Sequence, residues 1–155
     1  MRTPDYFGRL LVRQMRNGTT WVSQCIFGFS STLGITVQVP VGFATDYASI
    51  PRALWSFLPP TGTYAAAAVI HDWLYWTQTT TREEADQVFR EAMLVSCVGA
   101  AKRAVIFRAV RMFGGAAWRA NAAAKARGVR RIEDIANDAL FLASTAGEDN
   151  VEGMA

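Results

Sequence analysis

The segment AAAAVIHDWLYWTQTTTREEADQVF, residues 65–89, predicts a helical hairpin. Its first half is rich in alanine and large apolar residues, which favours a helix over residues 64–76 with Thr63 as its cap. The three threonines at 79–81 are typical of a turn, because their hydroxyls hydrogen-bond to nearby backbone groups. A turn this short makes the two helices antiparallel neighbours, so residues on their facing sides should meet.

Capping residues and glycines predict where the later helices begin and end. Thr81 and Glu84 have the spacing of a capping box, which predicts a second helix from there to about Val98. A third helix is predicted over residues 102–113, and the glycine pair at 114–115 is expected to weaken or end it. The hairpin is thus followed by at least one further helix.

The single histidine of the chain lies within the hairpin. His71 is about eight residues before the middle of the turn and Asp86 about seven after it, so the two should reach nearly the same height along the helices. Tyr75 lies one turn beyond His71 on the same face, whereas Asp72 is rotated by about 100°. We therefore predict that His71 contacts Asp86 or Tyr75.

These residues fit two kinds of role. A histidine can deprotonate water while a carboxylate on its other ring nitrogen fixes the tautomer. A second carboxylate such as Asp72 suits an arginine or a hard cation such as calcium. A lone histidine between two helices is also often a core residue that an aspartate neutralises. Spacing alone leaves the catalytic and the structural interpretation open.

The segment GFATDYASIPR, residues 42–52, supplies further candidate site residues. Asp46 or Ser49 could approach His71 across the alanine run, and a triad of Ser49, His71 and Asp86 is one arrangement. The alternative is structural. In that case the threonine, aspartate and serine of the segment form a turn and cap a short helix that follows.

The first forty residues are interpreted as antiparallel strands. Asn17 and Gly18 lie between two apolar runs and both tolerate positive φ, which predicts a type I′ hairpin turn. The run GITVQV places Ile35, Val37 and Val39 on one face, a pattern typical of a half-buried strand. The predicted fold class is therefore α+β, with a small N-terminal antiparallel sheet packed on an antiparallel helical hairpin and further C-terminal helices.

The composition indicates a globular protein of 155 residues, with 51% hydrophobic and 19% charged residues. No apolar run reaches the roughly 18 residues that a membrane span needs, and the N-terminus lacks a signal-peptide pattern. Cys25 and Cys97 have no metal-ligand spacing and are predicted to be buried, reduced thiols. The net charge of +3 permits contact with phosphates or acidic proteins without requiring it.

The C-terminal part differs in character, and we predict a globular α+β domain over 1–115 with a helical extension and polar tail over 116–155. Alanine favours helix but buries little area, so residues 116–145 are predicted to project and dock on another subunit. Three arginines of the third helix share a broad face, which we interpret as solvated; the alternatives are contact with lipid headgroups, nucleic acid or an acidic partner subunit. They are Arg103, Arg108 and Arg111.

The motifs GFATDYASIPR, HDWLY and ADQVF together resemble a small family of uncharacterised proteins from tailed bacteriophages and prophages. The resemblance covers about residues 10–113. It implies a phage-type protein, made in the host cytoplasm and built into or near the virion tail. The family resemblance by itself supplies no activity. Thr45 and Arg52 of the first motif join Asp46 and Ser49 as candidate site residues.

The helical pair is also similar to the catalytic helices of phospholipase A2, which carry an HD-x-x-Y element and an aspartate on the antiparallel helix. The resemblance implies His71 as general base, Asp72 as a calcium ligand, and Tyr75 and Asp86 as supports for the histidine. The chain departs from that family before the first helix. There WSFLPPTGTY has the single Gly62 in place of a glycine-rich calcium loop, and the characteristic disulfides are absent.

Two hypotheses about function follow. In the first, the protein is a virion or tail component with a phospholipase A2-like hydrolase site, for which calcium is the implied cofactor. In the second, it is a purely structural phage adaptor in which the same motifs form a buried polar cluster. The expected partners are other phage subunits in an oligomeric assembly, contacted through the C-terminal extension. A phospholipid membrane is a further candidate, and no specific nucleic acid is expected.

Overall fold

The computed structural model describes residues 3–46 and 63–133 and has the predicted α+β architecture. Six strands form two small antiparallel sheets, in place of the single sheet that was predicted, and three helices follow. The strands are β1 (Asp5–Gly8), β2 (Val12–Gln14), β3 (Trp21–Ser23), β4 (Phe27–Ser30), β5 (Thr36–Val39) and β6 (Ala44–Thr45). The helices are α1 (Ala65–Thr77), α2 (Arg82–Val95) and α3 (Ala100–Ala126).

The two sheets alternate along the chain. The first has the order β1-β4-β5 and the second the order β2-β3-β6, with antiparallel pairing throughout. In β5, Val37 and Val39 are buried while Thr36 and Gln38 are exposed, which confirms the predicted alternation. The apolar face of the first sheet joins the core formed by the helices, because β5 packs on α1 and β1 on α2.

The β2–β3 connection is a hairpin, as predicted, but its turn type is different. Gly18 adopts positive φ at 69°, whereas Asn17 does not, so the type I′ prediction is wrong. The Asn17 side-chain oxygen instead accepts hydrogen bonds from the backbone N–H groups of Thr19 and Thr20, at 3.1 and 3.0 Å. Asparagine here stabilises the turn through its side chain rather than through a left-handed backbone.

The helical hairpin begins and turns largely as predicted. Thr81 and Glu84 form both hydrogen bonds of a capping box at the start of α2, which ends at Val95, three residues before the predicted end. Thr63 is not the cap of α1. Tyr64 occupies that position, and no side chain caps the helix there.

The third helix is longer than predicted and crosses the glycine pair at 114–115 without a break. Glycine destabilises a helix interior by about 1 kcal/mol relative to alanine, but tertiary packing overrides that preference here. The buried face carries Ile106, Val110 and Gly114. Val105 and Met112 are exposed, so these apolar side chains of α3 face outward.

Residues 116–133 pack on the domain, so the prediction that this segment projects is wrong for that range. The Trp118 carbonyl accepts from the Gln78 side chain at 2.8 Å, and the Asn121 side chain donates to the Tyr75 carbonyl at 3.1 Å. Trp118 also packs against the core, which explains how an alanine-rich segment is held. The rest of the predicted docking segment, residues 134–145, lies outside the described residues.

Two further predictions concern cysteines and membranes. Cys25 and Cys97 are free, as expected, but both are exposed rather than buried. Cys25 lies between two short strands and Cys97 follows the end of α2, where the chain turns at the surface. Across residues 3–46 and 63–133, none of the helices combines the length and apolar character that crossing a bilayer requires.

Candidate functional site

The hairpin brings the predicted residues together. The four-residue connection at 78–81 reverses the chain, with Gln78 in the left-handed region at φ 54°. His71 Nε2 then lies 2.9 Å from Asp86 Oδ1, and the Tyr75 hydroxyl donates to the same oxygen at 2.7 Å. The predicted contact of His71 with Asp86 is confirmed. His71 and Asp86 are nearly the same number of residues from the short turn, and this spacing was sufficient to predict their contact.

The second oxygen of Asp86 is held by two arginines. Arg111 Nη1 of α3 lies 2.9 Å from Asp86 Oδ2, and Arg82 Nη1, one turn earlier on α2, lies 3.4 Å from it. The side chains of His71 and Asp86 have no solvent exposure, whereas those of the two arginines are about 30% exposed, at 31% and 28%. We call these five residues, His71, Tyr75, Arg82, Asp86 and Arg111, the Asp86 cluster.

Sequence reasoning missed the role of Arg111, which it assigned to an exposed arginine face. One signal was available, because a buried aspartate needs a compensating cation and Arg82 precedes Asp86 by four residues. No comparable signal points to Arg111. Its contact depends on how closely α3 approaches the hairpin.

Gly114 allows that close approach. A Cβ atom at this position would lie 2.5 Å from the Tyr75 hydroxyl oxygen, a separation that no side chain tolerates. Arg111 lies about one turn earlier on α3, so the same close approach brings its guanidinium to Asp86. The glycine that was expected to end the helix therefore serves to dock it.

The charges in the cluster shift the ionisation of its members. Burial raises the pKa of the Asp86 carboxyl, but the hydrogen bonds and charge of His71, with the bonds from Tyr75 and Arg111, outweigh it and hold that pKa below its usual range. Burial, and then the bond to Asp86, raise the pKa of the Tyr75 hydroxyl. The Asp86 bond likewise raises the pKa of Arg111. Asp86 is therefore an anion and Tyr75 a neutral donor.

Aromatic rings enclose the imidazole. The His71 ring centroid lies 4.5 Å from that of Phe89 with the two planes 25° apart, and 4.1 Å from that of Tyr75. Trp118 packs edge-on against Tyr75 from the far side. The ring is thus fixed by packing as well as by its bond to Asp86, which leaves it little rotational freedom.

Asp72 points to a different neighbour. Its Oδ2 accepts a short hydrogen bond from the hydroxyl of Thr45 at the end of β6, and both residues are buried. Asp46, the next residue, lies 3.8 Å from Arg131. Ser49 and Arg52 lie outside the described residues, as does Gly62. The proposed triad is therefore supported only in its His71–Asp86 half.

The described residues do not make a calcium site. Calcium takes six to eight oxygen ligands, commonly from several carboxylates and carbonyls. Asp72 offers one carboxylate, and one of its oxygens already accepts the Thr45 hydroxyl. Over residues 3–46 and 63–133, no three His, Cys, Asp or Glu side chains are grouped so as to hold a metal ion.

Comparisons with known proteins identify a family. The profile described as Protein of unknown function (DUF1353) matches residues 22–110, more than half of the chain, and the chain belongs to that family. The matched range includes His71, Asp72, Tyr75 and Asp86 and ends one residue before Arg111.

Two relatives from Sinorhizobium fredii share this region. Uncharacterized protein y4jT is 33% identical and Uncharacterized protein y4iH 38% identical, each over 90 residues or 57% of this chain. The aligned part is 27% of the first relative and 38% of the second, so the chain spans well under half the length of either. No solved structure matches the chain.

Proposed function

We propose that this member of the DUF1353 family is a phage-type hydrolase in which His71 acts as general base on a phospholipid ester. The observation that carries the proposal is the fixed His71–Asp86 pair, with its 2.9 Å bond and Tyr75 on the same oxygen. The resemblance to phospholipase A2 assigns the same roles to the same three residues. The proposal places the protein in a virion or tail. Cleavage of lipids there would give the virion access through a host membrane.

The chemistry follows from the tautomer. When Nε2 carries the proton and donates a hydrogen bond to Asp86, the lone pair of the imidazole is on Nδ1. Nδ1 takes a proton from a water molecule, and the water oxygen attacks the ester carbonyl. The tetrahedral intermediate then expels the alcohol, which receives the proton from Nδ1. The products are a fatty acid and a lysophospholipid.

The other cluster members act through Asp86. The anion stabilises the imidazolium that forms when Nδ1 is protonated, because it lies against the other ring nitrogen. Arg111 and Arg82 keep that carboxylate charged and fix its orientation.

A purely structural role is the second candidate, and a specific observation favours it. His71 and Asp86 are completely buried, and both oxygens of Asp86 have hydrogen-bond partners. A cluster of this kind fixes how three helices pack without any substrate. In this case the protein is an adaptor in the same assembly, with other phage subunits as partners.

One experiment separates the two candidates. Purified protein is incubated with phosphatidylcholine and phosphatidylglycerol vesicles, with calcium and with a chelator, and released fatty acid is measured. We expect hydrolysis by the wild type and a loss of at least about 100-fold in His71→Gln, whose amide can still bond Asp86, because a general base contributes at least that factor. Urea unfolding of both proteins controls for folding.

The structural role predicts a different pattern. Wild-type protein would then release no fatty acid in any of these conditions, while His71→Gln would lower only the free energy of unfolding. Hydrolysis that persists unchanged in a folded His71→Gln variant would contradict the proposed mechanism.

A further inference from the structure

A cleft of about 340 Å³ lies where the chain leaves α3, beside the C-terminal end of α1. We call it the basic cleft. Three of the six residues that line it are cations and none is acidic; they are Trp76, Lys125, Val129, Arg130, Arg131 and Ile132. Its volume is in the range of sites for small organic ligands. We infer that the basic cleft binds the phosphate group of an organic phosphate ester.

The backbone that carries the cations is fixed by a helix C-terminal motif. Gly128 has φ 79°, and its N–H donates to the Lys125 carbonyl at 2.9 Å. The N–H of Val129 donates to the Ala124 carbonyl at 3.1 Å. These two bonds form a Schellman motif, in which a left-handed glycine ends the helix and redirects the chain. Residues 129–133 are thereby turned toward the second sheet.

The redirected segment is then bonded to the strand region around β6. The Arg131 carbonyl accepts from the Ala44 N–H at 2.8 Å, and the Glu133 N–H donates to the Gly42 carbonyl at 2.8 Å. Ile132 forms a β-bridge with Phe43 between them. The cationic residues are therefore placed by backbone hydrogen bonds rather than carried on a free tail, and such a framework lowers the entropy that ligand binding costs.

The Arg131 guanidinium is oriented by its neighbours and keeps N–H donors for a ligand. Its guanidinium carbon lies 5.2 Å from the Trp76 ring centroid, a cation–π arrangement that fixes the plane of the group. Asp46 is 3.8 Å away, which is beyond hydrogen-bond distance, and it lines a neighbouring cleft of about 180 Å³ that Arg130 and Arg131 also line. Asp46 balances the charge of Arg131 without forming a hydrogen bond to it through this pair of atoms. The planar donor fork of arginine matches phosphate oxygens.

The other cations surround the same space. Lys125 Nζ donates to the Thr77 carbonyl at 2.9 Å, which holds its charge near the C-terminal end of α1. Arg130 is exposed to solvent at the rim. Three positive charges suit a phosphate ester better than a carboxylate, because phosphate carries up to about two negative charges and three acceptor oxygens.

The cleft also has apolar walls. Val129 and Ile132 are 46% and 45% exposed and line the cleft beside the three cations. Carbon atoms of the ligand next to the phosphate would cover them. Organic phosphate esters come from two sources with this shared chemistry, soluble metabolites and phospholipid headgroups. The inference does not rest on the proposed function, because the residues of the cleft are distinct from the Asp86 cluster.

The test uses the full chain with three probes, which are inorganic phosphate, phenyl phosphate and vesicles of phosphatidylglycerol or phosphatidylcholine. Binding of the soluble probes is followed by the indole N–H signal of Trp76, assigned with Trp76→Phe, and vesicle binding by co-sedimentation. Arg130→Gln removes a cation at the rim. Arg127→Gln is the matched control, since Arg127 is also exposed, carries the same charge and lines neither cleft.

We expect phenyl phosphate to bind more tightly than inorganic phosphate, because its ring covers Val129 and Ile132. Arg130→Gln should weaken phenyl phosphate binding by about tenfold or more, the loss expected for one hydrogen-bonded charge. Arg127→Gln should change it by no more than about twofold, the effect of a distant screened charge. Both variants should unfold at the same urea concentration as the wild type.

The outcomes also identify the source. Binding of the soluble ester without vesicle binding supports the inference for a soluble phosphate, and vesicle binding that Arg130→Gln weakens supports it for a lipid headgroup. The inference is overturned if neither phenyl phosphate nor the vesicles bind. It is equally overturned if Arg127→Gln weakens binding as much as Arg130→Gln, because general charge attraction would then explain the effect.

Discussion

In the Asp86 cluster and beside the basic cleft an arginine lies near an aspartate, but the two pairs have different surroundings. Arg111 lies 2.9 Å from Asp86, whose side chain has no exposure, whereas Arg131 lies 3.8 Å from Asp46, whose side chain is 39% exposed. In the first region the arginine compensates a carboxylate that has lost its water. In the second the carboxylate keeps part of its hydration and lies farther from the guanidinium, so the ion pair stabilises less.

The difference teaches where each arginine can act. An arginine that neutralises a buried anion is committed to the fold, and a change in the cluster alters stability before it alters any chemistry. An arginine that is oriented by a ring and by long-range charge keeps N–H donors for a ligand. Four predictions test this contrast, and they are ordered by the size of the expected effect.

The largest effect is expected from Asp86→Ala. This change leaves the charges of two arginines uncompensated and creates a buried cavity. Loss of one partner from a buried ion pair lowers the free energy of unfolding by roughly 3–5 kcal/mol. The control is Glu83→Ala, because Glu83 is on the same helix and pairs with the same Arg111 at 3.9 Å, but is 72% exposed. Its loss should cost less than about 1 kcal/mol. Urea denaturation measures both, and equal losses would refute the distinction.

Acid should weaken the same cluster to a smaller extent. The folded-state pKa of Asp86 is lowered from 3.8, so its stabilising contribution is fully present above about pH 4 and is lost as pH falls through the lower folded value. The loss is smaller than in Asp86→Ala, because a protonated carboxyl keeps its place and one acceptor. Unfolding free energies measured from pH 6 to pH 2.5 should fall less steeply in Asp86→Asn. A slope unchanged by that substitution would show that other groups carry the acid response.

The hairpin contacts could be predicted from sequence because they depend on local distances. His71, Tyr75 and Asp86 are related by a short turn and by helical rise, and both quantities are readable from residue numbers. The capping box of Thr81 and Glu84 is equally local. The strand alternation of β5 was predictable for the same reason.

The features that could not be predicted from the sequence depend on contacts between distant segments of the chain. Arg111 meets Asp86 only because α3 approaches Tyr75 at Gly114, and glycine alone does not distinguish a helix end from a close approach. Two short sheets were predicted as one because strand order is set by pairing, such as β3 with β6, that period-2 patterns do not encode. Residues 116–133 were predicted to project, because the bonds of Arg131 and Glu133 to Ala44 and Gly42 are between backbone groups and leave no pattern in the sequence.

Gly114→Ala tests this close approach and is expected to have an intermediate effect. The added methyl group would meet the Tyr75 hydroxyl at 2.5 Å, so either α3 or the Tyr75 side chain must shift. Overpacking of this kind costs typically 1–3 kcal/mol of unfolding free energy. Gly115→Ala is the matched control, because its Cβ would have an ordinary 3.5 Å contact with Arg119. It should stabilise the helix by up to about 1 kcal/mol. Stabilisation by both substitutions would mean that α3 does not need Gly114.

The smallest effect on the unfolding free energy is expected from substitutions at the N-terminal ends of the two hairpin helices. Thr81 accepts a hydrogen bond from the Glu84 N–H and is held by the Glu84 carboxylate, so Thr81→Ala removes one cap and should cost about 1 kcal/mol. Thr63 precedes α1 in sequence but caps nothing there, since Tyr64 occupies the cap position without a side-chain bond. Thr63→Ala should therefore leave the unfolding free energy within a few tenths of a kcal/mol of wild type.

Hydrogen exchange of the first-turn amides of α1 and α2 gives the local measurement. Faster exchange in α2 with Thr81→Ala, and no change in α1 with Thr63→Ala, would show that the turn stabilises the site from the α2 side. The opposite pattern would restore Thr63 as the cap and would contradict the position of Tyr64.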